Sequence, residues 1–128
     1  MITQFEDLRA WQRARVLTKE IYKATKKNDF SRDYRFASQI RSAAVSVMAN
    51  IAEGFDRYNP KEFHQFLSIA KSSCAEVRSH LYVALDIEYI SEQEFTELQN
   101  LSKEVSNIVG ALRASVQKKI PKKNKRAD

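Results

Sequence analysis

The spacing of apolar residues divides the chain into four helical segments. Apolar side chains recur every three or four residues, the period of one face of an α-helix, over residues 6–27, 33–55, 59–85 and 91–120. A segment of this length would span about 30 Å as a helix. Because the connections between the segments are short, the pattern predicts an all-α protein that folds as an antiparallel up-down four-helix bundle.

Signals for helix ends support these boundaries. Asn59 and Ser91 each stand three residues before a glutamate, the spacing of a capping box at a helix N-terminus. Gly54 lies at the end of the second segment and predicts a left-handed C-terminal stop. Residues 29–32 interrupt the apolar pattern, and we expect them to break the chain between the first two helices.

The second segment contains the least polar part of the chain. Residues 39–54 read QIRSAAVSVMANIAEG and contain only two charged side chains, in a chain that is 30% charged. A surface helix normally has one apolar stripe and one solvated face. Here the side away from the large apolar residues is small and apolar, with Val45, Ala49 and Ala52. We expect this helix to be covered on two sides, by the bundle core and by another helix or subunit.

A polar stripe runs along one side of this helix, and we interpret it as a hydrogen-bonded seam. An unpaired buried polar group costs about 1–3 kcal/mol, so these side chains need partners on a facing helix. The simpler interpretation is a structural seam that fixes how the helices pack, and the alternative is a pocket for a ligand or RNA. The predicted seam comprises Gln39, Ser42, Ser46, Asn50 and Glu53, with Ser73 and Glu76 of the third segment.

The positive charge of the chain is concentrated at its C-terminal end. The net charge is +6, and residues 118–128 hold six basic side chains and one acidic one, so the remainder is close to neutral. We expect residues 1–120 to form one bundle domain and residues 121–128 a basic, disordered tail. Such cations favour contact with a nucleic-acid backbone without readout of bases. The candidate nucleic-acid-binding residues are Arg9, Arg13, Lys118, Lys119, Lys122, Lys123, Lys125 and Arg126.

The composition favours a cytoplasmic protein. The single cysteine, Cys74, cannot form an internal disulfide, and the first residues, MITQFEDLRA, lack the apolar run of a signal peptide. No stretch reaches the roughly 18 apolar residues of a membrane span. Glycine and proline number only two each, which disfavours folds built from strands and turns. We therefore expect no membrane association.

Residue patterns typical of catalysis or metal binding are sparse. His64 and His80 would lie about 24 Å apart along one helix, on nearly opposite faces. Neither belongs to the Glu-x-x-His pattern of di-iron bundles, and the sequence has no glycine-rich loop that holds a phosphate. The sequence therefore predicts a protein that is not an enzyme and that uses no cofactor and no metal.

Several motifs together resemble a known family. Residues 39–54 resemble the pattern Q-x-R-R-A-A-x-S-[IV]-x-x-N-I-A-E-G of the four-helix-bundle proteins encoded in 23S rRNA intervening sequences. The segments FHQFLSIAKSSCAE and LYVALDIEYI are similar to two further parts of that pattern, so the similarity covers roughly residues 5–115. Ser42 stands where the pattern has its second arginine, and Ser72 stands where it has a glycine.

The resemblance implies a fold, an assembly and a kind of partner. Members of that family are similar in forming antiparallel four-helix bundles, often assembled as rings of five. Relatives in diversity-generating retroelements are accessory subunits that bind reverse transcriptase and RNA. The resemblance therefore implies a ring-shaped homo-oligomer, with the pentamer as its expected state. We predict a non-catalytic RNA-binding accessory protein that uses multivalent basic surfaces. The alternative is a scaffold that binds another protein and has no direct role with nucleic acid.

Overall fold

The computed structural model describes residues 1–122, and within them the protein is all-helical, as the sequence predicts. Four long helices are joined by short connections, and a short helix lies between the first two of them. These described residues contain no strand. A 3₁₀ turn over Phe5–Asp7 precedes the helices α1 (Arg9–Thr25), α2 (Asn28–Arg32), α3 (Tyr34–Phe55), α4 (Pro60–Asp86) and α5 (Glu92–Gln117). The predicted tail residues 123–128 lie outside the described residues.

Side-chain caps fix where three of the long helices begin. Asn59 accepts a hydrogen bond from the backbone N–H of Glu62 at 3.0 Å, which starts α4 at the predicted residue. The reciprocal half of the predicted capping box is not formed, because the Glu62 carboxylate pairs with Arg57. At the start of α5, Ser91 accepts from the backbone N–H of Glu94, and the Glu94 carboxylate accepts in return from the backbone N–H of Ser91. This reciprocal pair confirms the predicted capping box. At the start of α3, the Asp33 carboxylate accepts a single hydrogen bond from the backbone N–H of Phe36.

Helix α2 occupies the segment that the sequence pattern predicts as a break. The chain does break between α1 and α3, but the break contains a helical turn that the pattern does not predict. Asn28 adopts a left-handed backbone conformation with φ of 47°, which turns the chain after α1. The five residues Asn28–Arg32 form one helical turn, and the Phe30 side chain is buried. Phe30 stacks on Phe36 at 5.4 Å between ring centroids and lies 5.2 Å from the ring of Tyr89. Tertiary packing therefore orders a segment that has no helical period of its own.

Gly54 is not the left-handed stop that its position predicts. No glycine in the described part of the chain has a positive φ, and α3 continues through Gly54 to Phe55. A Cβ atom placed on Gly54 would lie 2.6 Å from the Cβ atom of Phe66 and 2.9 Å from Phe63 Cδ1. The glycine therefore serves the close approach of α3 to α4, because any larger residue would push the two helices apart.

Each long helix packs on two of the others, and their apolar faces form one core. Helix α1 packs on α3 and α5, and α4 packs on the same two helices. Polar contacts follow each interface. They join Thr18 to Ala44 and Thr25 to Arg41 between α1 and α3, Arg13 to Glu104 between α1 and α5, Ser46 to Ser73 between α3 and α4, and Ser68 to Arg113 and Arg78 to Gln99 between α4 and α5. Lys27, in the connection after α1, pairs with Glu94 of α5. The largest fully buried side chains include Phe30, Leu17, Ile21, Ile40, Ile51, Leu67 and Leu81.

Candidate functional site

Three of the predicted seam residues form a polar cluster between α3 and α4. The hydroxyl oxygens of Ser46 and Ser73 lie 2.9 Å apart across the interface. Asn50 Nδ2 donates to the backbone carbonyl of Ser46 at 2.8 Å and to its hydroxyl at 3.0 Å. These hydrogen bonds link a half-buried stretch of α3 to one position on α4, which limits how the two helices can slide along each other.

The other four predicted seam residues lie outside this cluster. Gln39 and Ser42 are exposed on the surface of α3. Glu53 is exposed near the end of α3 and forms an ion pair at 3.2 Å with Arg57, which lies just beyond that end. Glu76 is exposed on α4 and contacts His80 Nε2 at 3.4 Å. The structure therefore joins three of the seven predicted residues and leaves the remainder at the surface.

The predicted small-residue side of α3 is only partly open in the single chain: Val45 and Ala49 are exposed, whereas Ala52 is half-buried. We call the open surface the α3 outer face; in the described residues, no other helix covers it. Val45 retains 39% of its accessible surface, a large fraction for an aliphatic side chain near the middle of a long helix. The α3 outer face consists of Ser38, Ser42, Val45 and Ala49, all of which are exposed.

Two of the predicted nucleic-acid-binding residues, Arg9 and Arg13, form ion pairs with Glu104 of the same chain. Arg13 on α1 donates from Nε and Nη2 to the two carboxylate oxygens of Glu104 on α5, at 3.1 and 2.9 Å. Arg9 Nη2 lies 3.7 Å from the same carboxylate. The hydrogen bonds from Arg13 lower the pKa of the Glu104 carboxyl and raise the pKa of the guanidinium itself. This forked pair links α1 to α5 and offsets the positive charge there.

The remaining predicted cations lie at or beyond the end of α5. Lys118, Lys119 and Lys122 are exposed. The other three, Lys123, Lys125 and Arg126, lie outside the described residues.

The structure also brings together three cations that are not among the predicted site residues. An open groove of about 410 Å³ lies between α4 and α5, and none of its lining residues is acidic. We call it the basic groove. It is lined by Lys71, Arg78 and Arg113 together with Ser68, Ser72, Ala75 and Ser106.

Hydrogen bonds hold two of these cations in place. Arg113 Nε donates to Ser68 Oγ at 2.7 Å, and Lys71 Nζ donates to Ser106 Oγ at 3.2 Å. A Cβ atom on Gly110 would lie 3.3 Å from Lys71 Nζ, so the glycine leaves room for the ammonium group. Two features of the sequence mark this groove: the absence of acidic residues over residues 63–75 and over residues 105–117.

Cys74 of α4 is fully buried in the core, and its thiol is unreactive. Burial raises the pKa of the thiol to about 11, while Lys71 and Arg78 lower it to a smaller extent. The thiol is therefore protonated near neutral pH, and a protonated thiol is a weak nucleophile. Across residues 1–122, no cluster of three or more histidine, cysteine, aspartate or glutamate side chains is placed to hold a metal ion.

A comparison with protein families identifies the fold's relatives. The family model for the 23S rRNA-intervening sequence proteins matches residues 6–111, which is most of the chain. The chain belongs to this family. The matched residues include the polar cluster, the α3 outer face and Arg78, whereas Arg113 and the C-terminal lysines follow the matched region.

A solved structure supports the same fold. The chain is similar to the crystal structure, at 1.70 Å resolution, of a protein with unknown function from the S23 ribosomal protein family from Bacteroides thetaiotaomicron VPI-5482. The TM-score is 0.76 at 19% sequence identity, and the similarity covers 82% of this chain and 95% of that one. No curated protein matches the chain. The relation to accessory proteins of diversity-generating retroelements stays a prediction.

None of the helices in the described part of the chain combines the length and the apolar character that a bilayer-spanning segment requires.

Proposed function

We propose that this member of the family is a non-catalytic, oligomeric accessory protein that binds RNA through backbone phosphates. The observation that carries the proposal is the distribution of charge. Six of the residues in 118–128 are basic, and Lys118, Lys119 and Lys122 are exposed at the end of the bundle.

We propose an antiparallel up-down topology for the four long helices. The contacts between α1 and α3 support it, because Thr18 contacts Ala44 whereas the later Thr25 contacts the earlier Arg41. Between α4 and α5 the same inversion pairs residue 68 with 113 and residue 78 with 99. When residue numbers of the contacting pairs rise along one helix and fall along its neighbour, the two helices are antiparallel.

We propose that the α3 outer face is covered by a second copy of the chain in a ring-shaped homo-oligomer, with five copies as the expected number. Small side chains such as Ser42 and Ala49 let two helices approach closely. The face carries no charge, unlike the outer surfaces of α1 and α5. A ring would place several basic C-terminal segments on one particle, so that weak contacts with a single RNA add.

Replacing Ala49 by glutamate should separate the copies. A carboxylate in the middle of the α3 outer face would be buried without a partner if another copy covers it, and an unpaired buried charge is strongly destabilising. Ala49 is exposed in the single chain, so the isolated bundle should still fold.

Sedimentation should give the mass of one chain for Ala49→Glu. The control is Ala111→Glu, an exposed alanine on α5. The same oligomer mass for both variants would contradict the proposed interface.

Removing residues 118–128 should weaken RNA binding and reduce its dependence on salt. The affinity of a single strand falls with salt with a slope of about −0.7 for each neutralised phosphate. Six cations are lost, so the slope should become shallower by up to about 4. Fluorescence anisotropy with a labelled single-stranded RNA, measured over a range of salt concentrations, gives this slope. A full-length variant with the six basic residues changed to serine controls for chain length, and an unchanged affinity in both would refute the role of the tail.

The second candidate function is a scaffold that binds another protein. One observation favours it, an apolar groove of about 740 Å³ at the end of the bundle, lined in part by Phe55, Tyr58 and Phe63. Purification of the protein with its partners, with and without nuclease, separates the two candidates. Partners that remain after nuclease treatment favour the scaffold, and partners that are released favour RNA binding.

A further inference from the structure

We propose that the basic groove between α4 and α5 holds consecutive phosphates of an RNA strand, and so forms the folded part of an RNA-binding surface. This inference rests on the proposed function and gives it a place on the bundle. It concerns residues that the tail and the Arg13–Glu104 pair do not involve.

The basic groove brings three cations together on one surface. Elsewhere on the described chain, some cations, such as Arg13 and Arg57, lie within ion-pair distance of a glutamate. Others, such as Lys19 and Arg35, form no ion pair but do not line this groove. No described carboxylate forms such a pair with Lys71, Arg78 or Arg113, and no acidic residue lines the groove that they share. Three cations without counter-charges, on a bundle that is nearly neutral, create a local positive potential that attracts a polyanion.

The three cations form a row along the groove. Arg113 is fixed at the level of Ser68, Lys71 lies one turn further along α4, and Arg78 lies two turns beyond Lys71. From the level of Ser68 to Arg78 the helical rise gives a row about 15 Å long. A stacked strand carries one phosphate for about every 3.4 Å, so a row of this length faces roughly four nucleotides. A single small anion would need cations that converge on one point, and here they are spread out.

The polar side chains that line the groove are hydrogen-bond donors suited to phosphate oxygens. Guanidinium groups such as those of Arg78 and Arg113 present a planar fork of donors that matches two phosphate oxygens. The exposed hydroxyl group of Ser72 adds a donor on the α4 side of the groove. The hydrogen bonds that Ser68 and Ser106 accept keep Arg113 and Lys71 in place before a ligand arrives, which reduces the entropy lost on binding.

The test is RNA binding by the full-length chain with Lys71→Gln, Arg78→Gln and Arg113→Gln combined. Losing three phosphate contacts should make the salt slope shallower by about 2 and lower the affinity about 100-fold at 0.1 M salt. The probe is a single-stranded oligoribonucleotide of about 12 nucleotides, within the usual site sizes for such binding. The control variant removes the same charge elsewhere, with Lys19→Gln, Lys26→Gln and Arg35→Gln, all at exposed positions. It should keep nearly all of the affinity.

A single substitution keeps the test valid if the triple variant does not fold. Arg78 makes no side-chain hydrogen bond to the described residues, so Arg78→Gln should leave the bundle intact. We expect it to lower the affinity about 5-fold at 0.1 M salt, the effect of one lost phosphate contact. Circular dichroism checks that each variant is folded.

The outcomes separate this inference from the proposed function. Equal affinities for the triple variant and its control would overturn the groove site while the proposed RNA binding stands. No RNA binding by the unmodified chain would overturn both. Binding of inorganic phosphate alone, or of a glutamate peptide as tightly as RNA, would show a site for other anions and would also overturn the inference.

Discussion

Replacing Phe30 by alanine should lower the free energy of unfolding by about 3–5 kcal/mol, the usual cost of removing a buried phenylalanine. Phe30 is almost completely buried and contacts the rings of Phe36 and Tyr89. Its loss would leave a cavity where α2, the start of α3 and the connection between α4 and α5 meet. Helix α2 has only five residues, so without this anchor it should unfold locally. Urea denaturation at fixed protein concentration measures the change.

The matched control for Phe30→Ala is Tyr34→Ala. Tyr34 is an aromatic residue four positions along the chain, but 82% of its surface is exposed. Truncation of an exposed side chain usually changes stability by less than about 0.5 kcal/mol. Similar losses for the two variants would mean that α2 does not pack as described. A hydrogen-exchange experiment on the Phe30 variant should also show faster exchange in the segment around α2.

Replacing Gly54 by alanine should lower the free energy of unfolding by about 2–3 kcal/mol, within the range for overpacked cores. The new Cβ atom would lie 2.6 Å from the Cβ atom of Phe66, which is attached directly to the backbone of α4 and cannot rotate away. Helix α3 would have to move away from α4, and the bond between Ser46 and Ser73 would lengthen. Thermal and urea unfolding of the variant measure the loss in the free energy of unfolding.

The only other glycine, Gly110, supplies a matched control for the Gly54 substitution. Both glycines lie inside long helices that pack on α4. At Gly110 the nearest atom to a new Cβ is Lys71 Nζ at 3.3 Å, the far end of a flexible side chain. The lysine can shift, and alanine favours the helix by roughly 1 kcal/mol over glycine. We expect Gly110→Ala to be neutral or stabilising, so a loss equal to that of Gly54→Ala would contradict the close approach of α3 to α4.

The long helices could be predicted from the sequence because their signals are local. The apolar period and the caps at Asn59 and Ser91 act within a few residues, and α4 and α5 begin where those signals place them. Helix α2 could not be predicted in this way. Its stability depends on contacts between Phe30 and residues from distant parts of the chain, such as Tyr89, and a pattern within one segment does not contain that information.

Gly54 shows a second limit of the sequence pattern. A glycine near the end of an apolar period is typical of a C-terminal stop. The same residue is also required wherever two backbones come close, and only the position of Phe66 on α4 distinguishes the two roles. The helix therefore continues through Gly54 and ends at Phe55, where the apolar period predicts its end.

The candidate site was only partly predictable for a similar reason. The polar stripe on α3 was visible in the sequence, but which of its members face α4 depends on how the helix is rotated in the bundle. Ser46 and Asn50 face the interface, while Gln39 and Ser42 face outward. Likewise, the sequence does not show that Arg13 has a partner. Only the packing of α1 on α5 brings Glu104 within hydrogen-bond distance of it.

The α3 outer face links the fold to the proposed function. Helix α3 is nearly uncharged over residues 39–54, and the single chain covers only part of it. An exposed aliphatic and small-residue face at the middle of a long helix is typical of a surface that another protein covers. If that protein is a second copy, each particle carries several C-terminal basic segments and several basic grooves. RNA binding would then be strong for the particle although each contact is weak.

The most direct test of this account is the native mass of the unmodified full-length chain, measured by sedimentation at micromolar concentration. The account predicts a particle several times heavier than the 14.8 kDa of one chain, with five copies as the expected number. A particle with the mass of one chain at that concentration would contradict it, because the α3 outer face would then be exposed to water in solution.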